Sequence, residues 1–89
     1  MENKRFYCTF GLDEHFPFGI DEYVIVEAPN YNTAHLLFQM VHPNPRIGSE
    51  TITNCAFIEP EEKFNSYRDK YYKDVEPSEI ISLTVKKGG

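Results

Sequence analysis

Five side chains are of the types that ligate metals or serve as nucleophiles and bases: Cys8, His15, His35, His42 and Cys55. Their spacing does not bring them together. The chain holds no CxxC, HxxxH or HxxE pattern. His35 and His42 are separated by two helical turns, roughly 10 Å along an axis, which one ion cannot span. Cys8 alternates with Phe6 and Phe10, so a strand there buries its thiol among rings, and such burial raises a thiol's pKa and makes it inert. Gly11, Gly19 and Gly48 are isolated, so no glycine-rich phosphate loop is present. The paired carboxylates Asp13-Glu14, Asp21-Glu22 and Glu61-Glu62 are sequence neighbours, which is the pattern of a solvated face. The expectation is a protein that is not an enzyme and takes no metal and no cofactor.

The elements that position these groups fit one domain spanning residues 1–89, the whole 89-residue length. Apolar residues are 40%, and seven Phe and six Tyr supply large buried area to a small core. The formal charge of −5 argues against nucleic acid, whose phosphates are held by clustered Lys and Arg. No apolar run approaches the ~20 residues of a membrane-spanning helix. Met-Glu-Asn-Lys-Arg leads straight into a strand-like segment without a leader pattern. The expected setting is the cytoplasm, with reduced cysteines.

Along the chain, Arg5 to Gly11 and Tyr23 to Ala28 alternate as strands. Asn30 is the predicted N-cap of a helix whose buried stripe is Ala34, Leu37, Phe38 and Val41, widened by Leu36 and Met40. His42-Pro43-Asn44-Pro45 ends it. Arg46 to Glu50 reads as loop and Thr51 to Ile58 as a third strand. A second helix starts near Glu59-Pro60-Glu61-Glu62, with Phe64, Tyr67 and Tyr71 on one face. Ile80 to Val85 is the last strand, and residues 86–89 form a frayed tail. The predicted fold class is α+β: a small two-layer ββαβ(α)β domain with a mostly antiparallel sheet packed by one main helix.

Two aromatic groups are left as candidate binding surfaces. Phe16 and Phe18 lie in the long connection between the first two strands, where polar residues are usual; they either anchor a partner or fold back over the core. Tyr7 and Tyr23 share the sheet face opposite the first helix. Rings on an open sheet can stack bases, but the RNA-recognition peptides are missing, and the second helix can cover that face instead. The closing Lys-Lys-Gly-Gly resembles the end of ubiquitin-like modifiers, although the second helix departs from their element order.

FYCTFG at 6–11, YVIVEAPN at 23–30, TNCAFIEPEEKF at 53–64 and SEII at 78–81 together resemble small proteins of phages and prophages of Gram-positive bacteria. Those share an aromatic-Thr-Phe-Gly strand, a Val-Glu-Ala-Pro-Asp junction and a Glu-Glu-Phe segment. This chain has Asn30 where the junction usually has Asp. The resemblance implies an accessory protein that binds a host protein, such as an anti-CRISPR-like inhibitor of a defence system. The alternative is a nucleotide or small-molecule sponge with its pocket at the interface of a homodimer.

Overall fold

Two strands that bury both faces form the centre of the sheet. The computed structural model describes residues 3–11, 16–54 and 57–82. Strand β1 (Lys4–Thr9) pairs antiparallel with β2 (Tyr23–Ala28), Tyr7 opposite Ile25 and Cys8 opposite Val24. Helix α1 (Tyr31–Val41) follows, then a two-stranded hairpin of β3 (Arg46–Ile47) and β4 (Glu50–Thr51). Strand β5 (Phe57–Pro60) joins the free edge of β1 antiparallel, helix α2 (Glu61–Tyr71) crosses the sheet, and β6 (Glu79–Ser82) joins the free edge of β2 in parallel. The sheet order is β5-β1-β2-β6. The α+β class and the mostly antiparallel sheet are as the sequence predicts.

Connectivity dictates how the helices are placed. Strands β2, β5 and β6 run in the same direction, because β2 and β5 both oppose β1 and β6 parallels β2. The connection through α1 steps from β2 towards one edge, and the connection through α2 steps back to the other. Crossovers of one hand that step in opposite directions put their helices on opposite faces. The sheet therefore carries a helix on each face, one layer more than expected.

Each face has its own core. Phe6, Cys8, Phe10, Val24 and Val26 meet Ala34, Leu37 and Phe38 of α1. Tyr7, Tyr23 and Ile25 meet Phe64 and Tyr72 on the side of α2. Asn30 caps α1 as its position predicts: its Oδ1 accepts from Thr33 N–H at 2.9 Å.

Several local expectations are corrected, beginning with Arg46 to Glu50, which is not a loop but most of the β3–β4 hairpin. Thr51 to Ile58 is not one strand: Thr51 belongs to the hairpin, Ile52 to Asn54 are not strand, and among the described residues of this stretch Phe57 and Ile58 join the main sheet as the start of β5. The signal for that hairpin is Ile47-Gly48-Ser49-Glu50: Gly48 sits at φ +65°, and glycine at the first central position suits a tight type II′ turn. The buried stripe is Ala34, Leu37 and Phe38 without Val41, which is exposed in the last turn; Leu36 and Met40 do not widen it either, since at 100° per residue they point away from Ala34 and Phe38, and both are exposed. Tyr71 is exposed and Tyr72 is buried instead. The helix stops at Tyr71, and the non-helical backbone of Tyr72 (φ −129°, ψ 28°) turns its ring to the core. The last strand is Glu79–Ser82; Leu83 to Val85, like Lys86-Lys87-Gly88-Gly89, lies outside the described residues.

Candidate functional site

The segment after α1 has few donors and several acceptors. Pro43 and Pro45 lack N–H groups, so they contribute carbonyls alone. Asn54 meets this chemistry. Its Nδ2 donates to the His42 carbonyl, and its backbone N–H donates to Asn44 Oδ1 at 3.0 Å. Ile52 N–H donates to the Pro45 carbonyl at 2.8 Å, joining the base of the β3–β4 hairpin to the same segment. Asn54 is 1% exposed, and its Oδ1 is buried with no hydrogen-bond partner among the described residues.

Pro17, Val41, His42, Pro43, Pro45 and Asn54 line a cavity of about 250 Å³. His42 is fixed from three sides. Its backbone N–H donates to the Phe38 carbonyl at 2.8 Å and ends the helix. Its ring lies 5.1 Å from Phe38 and meets Phe18 edge-on at 5.2 Å. Its Nε2 is 2.6 Å from Glu79 Oε1, a hydrogen bond that becomes an ion pair when the imidazole is protonated. Among the described residues that line it, Pro17, Val41, Pro43 and Pro45 bring apolar side chains and His42 and Asn54 polar ones.

A wider depression, about 710 Å³, lies where β1 begins and α2 starts, lined by Asn3, Lys4, Arg5, Phe6, Pro60, Glu61 and Glu62. Cations and carboxylates are mixed there, and Arg5 Nε already sits 3.4 Å from Glu27 Oε2.

The aromatic candidates divide. Tyr7 and Tyr23 are 1% and 0% exposed beneath α2, which corrects the idea of an open aromatic sheet face. The crossover helix packs Phe64 against both rings, and their hydroxyls are engaged: Tyr7 donates to Glu61 Oε2 at 3.0 Å, and Tyr23 donates to the Val75 carbonyl at 2.8 Å. Phe16 and Phe18 are half-buried, with ring centroids 6.1 and 5.2 Å from Phe10. Their segment brings Pro17 and Phe18 to His42, so one end of the aromatic loop borders the cavity.

The phenols on the α2 side are held neutral. Burial pushes the Tyr67 pKa well above that of a free phenol, helped by its 2.6 Å bond to Glu59 Oε2. Tyr7 is raised by burial and by Glu61, and Tyr72 by burial and by Asp21 and Glu59. Groups of this kind hold the helix to the sheet; none of these phenols is poised to ionise near neutral pH.

Sequence reasoning missed Asn54 and the cavity. The usable signal was weak: the His-Pro-Asn-Pro segment leaves helix α1 with carbonyls and an Asn side chain that need donors, and Asn54 supplies them to His42 and Asn44. His35 contacts Gln39 at 3.0 Å and is not among the residues that line the cavity. His15, Cys55 and the terminal glycines lie outside the described residues. Among the described residues no three His, Cys, Asp or Glu side chains converge as a metal site, and no helix is long and apolar enough to cross a membrane. Comparison with family models, curated proteins and solved structures finds no match to this chain.

Proposed function

We propose that the protein is a non-enzymatic phage or prophage accessory protein that binds a host protein through the apolar surface running from Leu36 to Ile47. The observation that carries this reading is the exposure of that run. Met40 is 76% exposed, Leu36 59%, Ile47 47% and Val41 45%. A single exposed Leu or Met needs no explanation. Leu36 and Met40 lie one turn apart on the helix with Val41 next in the chain, and large apolar side chains exposed this close together are of the kind that partners cover.

The partner's chemistry follows from charge. The chain carries −5, so a partner with an apolar centre and a basic rim is attracted at a distance and matched on contact. The phage setting rests on the resemblance of the FYCTFG, YVIVEAPN and TNCAFIEPEEKF segments, and a host defence factor is the partner class that setting favours.

The test is capture from a Gram-positive host lysate by the tagged protein, beside a Leu36→Glu/Met40→Glu double variant. The expected result is a host protein retained by the wild type and lost by the variant. Equal capture by both moves the contact elsewhere, and no capture above background refutes the reading.

A further inference from the structure

We infer that the outer face of α1 is the contact of a homodimer, in which α1 packs antiparallel against α1 of a second copy. The inference goes beyond the host contact proposed above and does not depend on it; a host protein and a second copy would compete for one face.

Two observations select a second copy. The first is charge. From Ala28 to Pro45 the sequence holds no Asp, Glu, Lys or Arg, in a chain that is 26% charged. Helix α2, by contrast, carries Glu61, Glu62, Lys63, Arg68, Asp69 and Lys70. The solvent face of a surface helix typically carries charged residues, and their depletion marks the centre of a protein interface. Two identical chains of net charge −5 repel each other at a distance. The α1 face lets them meet with no like charges set in opposition.

The second is shape. Asn32, Leu36 and Met40 form one i, i+4 row along the outside of α1, and all three are exposed. A two-fold axis passing between Leu36 and Met40 sets Leu36 beside Met40 of the second copy, and Met40 beside its Leu36. Rows of this spacing interdigitate when two helices cross at about −50°. The face is therefore its own complement, which is what an isologous contact requires.

The inner face of α1 is already buried in the core of its own chain, so each copy folds before it pairs. Helix α1 has 11 residues and is roughly 16 Å long, which makes the contact smaller than a standard interface of about 1,600 Å². The dimer is thus a weak one that forms and dissociates with concentration.

The test follows the full chain over a dilution series by sedimentation and by amide NMR. The expected result is a monomer–dimer equilibrium with concentration-dependent shifts centred on Asn32 to Met40. Added salt should tighten it, because salt screens the repulsion between two acidic chains and the contact holds no ion pair to weaken. Leu36→Glu/Met40→Glu should weaken association by about tenfold or more, with the amide spectrum otherwise retained. A wild type that is still monomeric at about 1 mM overturns the inference. Shifts centred elsewhere, such as on the edge strand β6, also overturn it, as does a dimer that salt weakens or that the double variant retains. Each of these outcomes leaves host capture standing, and a lysate that yields no partner leaves the dimer standing.

Discussion

The ring of Tyr7 lies flat on the ring of Phe64, with centroids 4.3 Å apart and planes 10° from parallel. This contact joins the central strand to the crossover helix. Phe64 also reaches Tyr23 at 5.0 Å, Tyr72 at 5.3 Å and Tyr67 at 5.4 Å, so one buried ring gathers four tyrosines. Phe64→Ala should lower stability by about 3–5 kcal/mol, the range for removing a buried aromatic ring. Denaturant unfolding checks it. A loss below about 1 kcal/mol means that α2 is not clamped by this ring.

The three shifted phenols predict an alkaline limit to stability. A phenol whose folded pKa is raised binds its proton more tightly in the folded state. Tyr7, Tyr67 and Tyr72 all shift that way. Their contribution is fully present below the unfolded value, about 10, and is lost as pH rises through the higher folded values. Stability should therefore stay level in these groups up to about pH 10 and fall beyond it. Absorbance titration should show part of the tyrosine ionising only on unfolding, and Tyr67→Phe should weaken the decline. An alkaline titration identical to that of free tyrosine contradicts the buried bonds.

Asn30 supplies a cap that can be tuned. Asn30→Ala should cost about 1 kcal/mol, because the Thr33 N–H loses its acceptor. The first turn of α1 carries no acidic residue. Asn30→Asp should therefore keep the cap and add a favourable charge at the positive end of the helix, a gain of about 0.3–1 kcal/mol. Thermal unfolding of the pair gives the ordering Asp, Asn, Ala; any other ordering counts against the cap geometry.

The surface proposed for the partner should be dispensable for folding. Leu36→Glu and Met40→Glu each replace an exposed side chain, so each should change stability by no more than about 0.5 kcal/mol. A larger loss places those side chains in an intramolecular contact and removes them from the proposed interface.

The sequence displayed the parts that local physics governs. The alternation of Phe6, Cys8 and Phe10 predicts β1, and Asn30 before Ala34, Leu37 and Phe38 predicts the start and inner face of α1. The burial of Phe64 under α2 follows from the same helical spacing. The features it concealed depend on long-range geometry. Nothing local to Glu79–Ser82 says that this strand runs parallel to β2. Nothing local to Tyr72 says that the helix ends one residue earlier and turns that ring inward rather than Tyr71. Asn54 becomes interpretable only when His42 and Asn44 stand beside it, ten and more residues away in the chain. The candidate cavity was hidden for that reason, whereas the aromatic loop that borders it was visible.

The placement of β1 and β2 at the centre of the sheet has a consequence for synthesis. They precede the helices that cover their two faces and the strands that flank them, and β6 follows all the other described elements. Order of emergence and order of burial are opposed. A nascent chain carrying only residues up to Ala28 presents Phe6, Tyr7, Tyr23 and Val24 with neither helix to shield them. Pairings between distant segments form slowly, and an exposed apolar hairpin is prone to associate with its neighbours. Productive folding of this protein is thus a matter of timing as well as stability, decided in the interval between the release of β2 and the arrival of β6.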